Sequence, residues 1–335
     1  GGIVILIRYA IERLSAFLNE VGRLLNSEFP FKHPRNALLH IKAIFEVRLE
    51  KLRSLSGASD HLLVESQCSL ALTDLFDYTR LLGFILRSTN VRNSFEVISP
   101  LGRIAEMLLK KASGKHGVRL IVSSEWNYAP YIFHSIPQLP GFIFVGLPAP
   151  ESGNPLLIPL AGHELGHAAW AAKGLNLLMR KRIKNMIEDM ILHQKWSAFC
   201  QVAKAPHLTQ PSIDLFVNTE LSRPIDWATR QAEETFADFI GLRLFGVSYL
   251  HAFSYLMSPG LAASRSTNYP NLDKRAAYLS LAATQYKLDI PSRFQDMFKP
   301  SPTVTHVANG FFLELADLAV DGLGNSLATE ANSVV

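Results

Sequence analysis

Residues 157–174 read LIPLAGHELGHAAWAAKG, an apolar stretch into which two histidines and one glutamate are set. An apolar run of this length that ends at Gly174 predicts a buried helix from about Leu157 to Lys173. Burying His163, Glu164 and His167 without partners would be costly in free energy, so we expect them to form a site. The simpler alternative is a pair of core histidines that donate to backbone carbonyls.

The spacing of these polar residues is that of a metal site. Positions four residues apart lie on one face of a helix, so His163 and His167 can reach one metal ion. Glu164 lies beside them and can take a proton from a water at the metal without being a ligand. The pattern His-Glu-x-x-His occurs in zinc peptidases, but it is short, and a third ligand has to come from elsewhere in the chain.

A catalytic zinc ion usually has three protein ligands and one open position. A third histidine six residues after the motif is excluded, because that position is Lys173. Residues 233–241 read EETFADFIG in a strongly helical segment, where Glu234 and Asp238 are four residues apart. Glu234 is the predicted third ligand, and Asp238 is expected to accept a hydrogen bond from a ligand histidine. Glu233 is expected to be a solvated helix residue, and an exposed helix face is the alternative for the other two.

With both motifs in this order, the chain resembles the gluzincin metallopeptidases. The likeness is to the group that contains the CAAX-prenyl proteases, the HtpX-type quality-control proteases and their soluble minimal relatives. That group joins His-Glu-x-x-His to a later Glu-x-x-Ala-Asp, which residues 234–238 match. The resemblance covers residues 140–285 and implies a Zn²⁺ cofactor, a peptide or protein substrate and a gluzincin-like catalytic domain. The radiation-response and phage-regulator proteases are a weaker match, because they place the third ligand much closer to the motif.

Members of the group commonly carry Ser-Thr-His-Pro, with an arginine six residues after the histidine, and both residues are thought to stabilise the oxyanion. Residues 266–270 here read STNYP, so Tyr269 takes the position of the histidine and Arg275 keeps its spacing. The resemblance therefore implies that Tyr269 and Arg275 are catalytic, and a tyrosine hydroxyl can donate the required hydrogen bond. The alternatives are a turn residue before proline for Tyr269 and an exposed helix residue for Arg275.

A short apolar run upstream of the motif is predicted to be a β-strand. It consists of Phe142, Ile143, Phe144, Val145, Gly146 and Leu147, and it is followed by Pro148. The segment Val118–Val122 is a second predicted strand that could pair with it. We expect substrate to lie along Phe142–Leu147 by strand addition, in which main-chain hydrogen bonds supply the affinity.

The first 115 residues are predicted to be helical. Apolar residues three and four positions apart form an amphipathic stripe there: Leu38, Ile41, Phe45, Leu49 and Leu52. The predicted organisation is a helical N-terminal region at 1–115, a metallopeptidase domain at 116–320 and a disordered tail at 321–335, which is small and polar. The fold class is mainly α with a small β-sheet (α+β), and the N-terminal helices are expected to cover or flank the cleft.

Composition narrows the setting of the protein. The chain has 335 residues, 48% hydrophobic and 19% charged, which is typical of a globular protein. Cys68 and Cys200 lack metal-ligand or disulfide spacing, which favours a reducing, cytoplasmic location. The net charge of +4 is mild, and the basic residues of 180–184 are followed directly by acidic ones, so no nucleic-acid partner is predicted. No run of about 18 consecutive apolar residues occurs, so no transmembrane segment is predicted.

These observations favour zinc-dependent peptide hydrolysis, with His163, His167 and Glu234 as ligands and Glu164 as general base. Two alternatives stay open. One is a metal-dependent hydrolase of non-peptide amides, for which the same water activation would serve. The other is an interaction protein with a vestigial zinc site, although a purely structural site has no use for the base Glu164.

Overall fold

The chain folds mainly into α-helices with one small β-sheet, which confirms the predicted α+β class. The computed structural model describes residues 2–89, 98–114, 116–151, 154–204, 206, 207, 209, 213, 216, 219–257, 265–301 and 307–335. Within these residues the helices are α1 Gly2–Leu25, α2 Lys32–Ser54, α3 His61–Leu86, α4 Ile98–Ser113, α5 Leu160–Lys173, α6 Leu175–Met190, α7 Trp196–Val202, α8 Ser222–Phe245, α9 Val247–Met257, α10 Leu272–Gln285 and α11 Val307–Val334. The strands are β1 Arg119–Glu125, β2 Tyr131–Phe133 and β3 Phe142–Pro148.

The chain folds into two compact units. The first unit comprises Gly1–Glu106 and Gly117–Asn154, and the second comprises Met107–His116 and Pro155–Val335. The predicted boundary after residue 115 is therefore wrong for the segment that carries the sheet. The physical reason is that the apolar face of the sheet, including Ile121 of β1, is buried in the same core as the N-terminal helices.

The core of the first unit confirms the predicted amphipathic stripe. All five of its residues are buried in α2: Leu38, Ile41, Phe45, Leu49 and Leu52. They pack with apolar residues of α1 and α3, and Phe45 contacts the rings of Phe17 and Tyr78 at centroid distances of 4.4 and 5.1 Å. The helical spacing thus places one continuous apolar face towards the neighbouring helices.

Strand β3 is the central strand of the sheet, and this corrects the predicted substrate position. The strand order is β1-β3-β2, with β1 parallel to β3 over its whole length and β2 antiparallel to it at Phe144–Gly146. Both edges of β3 are therefore hydrogen-bonded over Phe144–Gly146. A β-carbon at Gly146 would lie 2.5 Å from Tyr131 Cζ, so a ring of the sheet itself fills that space. A substrate strand could not pair with β3 at Phe144–Gly146, because β1 and β2 occupy both of its edges there.

Helix α8 is the centre of the second unit. It packs against α5, α6, α9, α10 and α11. Helix α5 contains the predicted metal motif and ends as predicted at Gly174, whose φ of 67° is left-handed backbone that glycine adopts without strain. It begins at Leu160, slightly later than predicted, because Pro155–Leu157 form a separate 3₁₀ turn.

The segment predicted to be a disordered tail is helical. Helix α11 continues to Val334 and packs on α6 and α8. Leu323, Leu327, Ala331 and Val334 are buried at spacings of three and four residues. These side chains remove apolar surface from water, which stabilises a helix whose other face is small and polar.

No helix in the described part of the chain combines the length and the apolar character needed to cross a membrane, as predicted.

Candidate metal centre

Glycines allow α5 to approach α8 closely at the position of the motif. A β-carbon at Gly162 would lie 3.0 Å from the Gly241 Cα, and Gly166 on the next turn also faces α8. Helices can come this near only where side chains are absent from the contact. The close approach brings the polar residues of α5 within reach of the carboxylates of α8.

The three predicted ligands converge. The Nε2 atoms of His163 and His167 are 3.3 Å apart, and Glu234 Oε2 lies 3.2 Å from His163 Nε2. Glu234 Oε1 lies 3.7 Å from His167 Nε2. Among the described histidine, cysteine and acidic residues, these three are near enough to hold one metal ion together. Their ligand atoms all lie within 4.8 Å of one another. The structure therefore brings the predicted metal ligands together.

The distances between these atoms fit a zinc ion. Zinc bonds to histidine and carboxylate ligands are about 2.0–2.2 Å, so neighbouring ligand atoms in a tetrahedral site lie about 3.3–3.5 Å apart. The three separations given above scatter around that value. Glu234 Oε2 is buried, and no described residue gives it a hydrogen bond of good geometry although His163 Nε2 is near. A buried oxygen without a donor is suited to a cation, and two imidazoles with one carboxylate suit Zn²⁺ better than Mg²⁺.

Each of the two histidines has a carboxylate partner at its Nδ1 nitrogen. His163 Nδ1 lies 2.8 Å from Asp238 Oδ1, as predicted, and His167 Nδ1 lies 2.9 Å from Glu233 Oε1. The expectation that Glu233 is merely solvated is therefore wrong, because its side chain is 28% exposed and contacts His167. When each Nδ1 donates to a carboxylate, the Nε2 lone pairs are directed to the metal position.

Asp238 is surrounded by donors. Arg275 donates to it twice, from Nε to Oδ2 at 2.9 Å and from Nη2 to Oδ1 at 2.8 Å. The Tyr249 hydroxyl donates to Asp238 Oδ1 at 2.7 Å. Arg275 is buried, so the alternative of an exposed helix residue is wrong. Sequence reasoning missed Tyr249, which lies on α9 outside every recognised motif.

The charges at the site stabilise one another. Burial alone would lower the pKa of His163, but its bond to Asp238 and the nearby Glu234 carboxylate raise the pKa to about 10. Burial would raise the pKa of Asp238, yet Arg275 and His163 hold the pKa of that carboxyl well below its usual value. The pKa of Glu234 is also lowered, because His163, His167 and Arg275 outweigh the effect of burial. Both carboxylates are thus anionic at neutral pH.

Glu164 and Tyr269 lie at the same site without being ligands. Glu164 is buried, and burial raises its pKa against the opposing charges of His163 and His167. Tyr269 is 42% exposed, and burial of the rest of the ring together with the Glu234 carboxylate raises the pKa of its hydroxyl to about 12. The hydroxyl therefore keeps its proton at neutral pH and can donate a hydrogen bond.

The segment that carries Tyr269 is fixed to helix α8. Gln231 of α8 is buried and donates from Nε2 to the backbone carbonyl of Thr267 at 3.1 Å. The Arg275 guanidinium lies 5.4 Å from the centre of the Tyr269 ring, a cation–π distance. These contacts hold Tyr269 near Glu234, three residues after Gln231.

All the residues of this site belong to the second unit, whereas Phe142–Leu147 belongs to the first. Comparison of the chain with protein-family models, curated proteins and solved structures gives no match.

Proposed function

We propose that this protein is a zinc-dependent metallopeptidase of gluzincin type. The observation that carries the proposal is the convergence of His163, His167 and Glu234 with the buried, non-ligand Glu164 beside them. A purely structural metal site would need the ligands but not an additional buried carboxylate. The histidine partners Asp238 and Glu233 are the orienting carboxylates that zinc sites commonly have.

The residues of the chain divide the chemistry among them. The two Nε2 atoms and the Glu234 carboxylate would hold the ion. A bound zinc ion would supply a Lewis acid that polarises the scissile carbonyl and lowers the pKa of the attacking water. Glu164 takes the proton of that water and passes it to the leaving amine, and its raised pKa makes it a better base near neutral pH. The protonated Tyr269 hydroxyl donates to the oxygen on which negative charge develops.

The experiment that tests the proposal combines metal content with a peptide-library cleavage profile, for the unaltered chain and for Glu164→Gln. We expect about one zinc per chain in both proteins. We expect cleavage by the unaltered chain and a loss of at least about 100-fold in rate in Glu164→Gln, the usual contribution of general acid–base catalysis. Full activity in Glu164→Gln would refute the proposal, and hydrolysis of non-peptide amides alone would favour the other class of hydrolase.

A further inference from the structure

The contacts of Asp238 indicate functions for Arg275 and Tyr249 that differ from those the family resemblance implies. The resemblance makes Arg275 a donor to the oxyanion. In the structure its Nε and Nη2 atoms both donate to Asp238, and its Cζ atom lies 5.1 Å from the centre of the Phe253 ring and 5.4 Å from the centre of the Tyr269 ring. A guanidinium that donates twice to one carboxylate and lies at cation–π distance from two rings is fixed in orientation.

Tyr249 reaches the same carboxylate from a different helix. Its hydroxyl lies 2.7 Å from Asp238 Oδ1 and 3.4 Å from His163 Nδ1. Its ring lies against Gly241, where a β-carbon would come within 2.3 Å of Tyr249 Cε2. Only glycine at that position of α8 leaves room for the ring to extend to Asp238.

We propose that Arg275 and Tyr249 are positioning residues that hold the Asp238 carboxylate against His163 Nδ1 and so orient a zinc ligand. Asp238 Oδ1 then accepts from His163, Tyr249 and Arg275 at once, and Oδ2 accepts from Arg275. A carboxylate with this many donors has one orientation, and the ring that donates to it has one tautomer. This inference rests on the metal site of the proposed function, but not on the identity of the substrate.

Burial explains why two helices contribute donors to one carboxylate. Asp238 is 2% exposed, and a buried carboxylate that lacks hydrogen-bond and charge partners is costly in free energy. Without the donors from Tyr249 and Arg275 the carboxylate could turn away from His163 Nδ1, and the imidazole would no longer be held with its Nε2 lone pair towards the metal. The bidentate arginine supplies the charge, and the tyrosine hydroxyl occupies a remaining acceptor position of Oδ1.

The first test is the zinc affinity of the full chain with Tyr249→Phe, measured by competition with a chromophoric chelator. This change removes one hydroxyl and keeps the buried ring. We expect affinity to fall by about 10-fold, as outer-sphere changes at zinc sites commonly do. The matched control is Tyr286→Phe, which removes a hydroxyl bond of 2.7 Å to the Ala328 carbonyl away from the site. Affinity unchanged within about twofold in both variants would overturn the function of Tyr249, even if Tyr249→Phe lowered the melting temperature.

The second test separates a positioning residue from an oxyanion donor at Arg275. We expect Arg275→Lys, which keeps the charge but loses the paired geometry, to weaken zinc binding by about 10- to 100-fold. If Arg275→Lys does not fold, the double variant Arg275→Gln with Asp238→Asn removes both buried charges, and we expect the same weakening. Unchanged zinc affinity with kcat lowered and KM unchanged would make Arg275 an oxyanion donor and overturn the inference.

Failure of this inference is distinguishable from failure of the proposed function. Zinc affinity is read without any substrate, so an unaltered chain that binds zinc but cleaves no peptide would refute peptide hydrolysis only. The expected affinity losses in the variants would still support the positioning residues. An unaltered chain that binds no zinc would overturn both proposals together.

Discussion

Gly166 of α5 lies so close to α8 that a β-carbon at this position would be 2.6 Å from the Ala237 Cα. His167 follows Gly166 directly, and Glu234 lies three residues before Ala237. The separation of the two helices at this contact therefore determines how near Glu234 comes to the two histidines. One added methyl group at Gly166 would prevent the two helices from packing at this distance.

Gly166→Ala is expected to separate the helices and weaken zinc binding by at least about 10-fold, because the obstacle is backbone and cannot turn aside. Overpacking of this kind also lowers the free energy of unfolding by about 1–3 kcal/mol. Chelator competition and thermal unfolding would measure the two effects. The control is Gly324→Ala in α11, where a β-carbon meets nothing within 4 Å and stability should hold or rise slightly. Normal zinc affinity in Gly166→Ala would show that the helix separation does not set the site.

Glu233→Ala is expected to keep a zinc ion in the site but to lower the affinity by about 10- to 100-fold, because His167 loses the acceptor at its Nδ1. Glu234→Ala should abolish binding, since it removes a ligand. Asp226→Asn is the matched control, an exposed acid on the same helix that pairs with Arg180. If Glu233→Ala lost the metal completely while Glu234→Ala kept it, the assignment of the third ligand would be reversed.

The convergence of His163, His167 and Glu234 could be predicted from the sequence because most of their arrangement is local. His163 and His167 share a helix face whatever surrounds them, and Glu234 with Asp238 repeats that spacing. The function of Glu233 could not be predicted, because it depends on how α8 is turned and set against α5. Tyr249 was missed for the same reason, since its contact with Asp238 requires the absence of a side chain at Gly241, which no spacing rule reveals.

Composition gave the wrong prediction for the C-terminal segment. Small and polar residues of 321–335 outweighed the apolar ones in that prediction, although Leu323, Leu327, Ala331 and Val334 have the spacing of a buried helix face. The periodicity was the more informative property, because burial of one face stabilises a helix that weak propensity alone would not.

The strand prediction for Phe142–Leu147 was correct. The central place of this strand in the sheet depends on its pairing with β2, which the sequence did not indicate.

The stability of the metal-free chain should depend on pH through His163. Its pKa in the folded chain is about 10, above its ordinary value of 6.5, so folding favours the protonated ring. That stabilisation is complete below pH 6.5 and is lost as the pH rises towards 10. We expect the melting temperature of metal-free protein to fall between about pH 7 and pH 10, and to fall less in His163→Gln. Equal slopes in the two proteins would contradict the pairing of His163 with Asp238 and Glu234.

Zinc affinity should have the opposite pH dependence. A metal ligand has to lose the proton on its coordinating nitrogen, so zinc competes with the proton that His163 holds below pH 10. We expect affinity to rise by up to about tenfold per pH unit across the neutral range, with proton release detectable by calorimetry in buffers of different ionisation enthalpy. Binding that is independent of pH from 6.5 to 10 would show that His163 is already unprotonated.

Tyr269→Phe tests the residue that is expected to take the position of the histidine in the family that the chain resembles. The pKa of its hydroxyl is raised to about 12, so the hydroxyl is protonated at neutral pH. Gln231 of α8 fixes the segment on which Tyr269 lies. If it donates to the oxyanion, the variant should lose about 100-fold in kcat with little change in KM, because that bond forms only in the transition state. Zinc affinity should stay normal, which separates this loss from the effects expected at Tyr249.

Tyr278→Phe is a suitable control for Tyr269→Phe, because the Tyr278 hydroxyl bonds to Asp321 of α11 and not to the proposed zinc ligands. Unchanged kcat in Tyr269→Phe would exclude the hydroxyl from catalysis, and because Arg275 is committed to Asp238, the oxyanion donor would then have to come from another part of the chain.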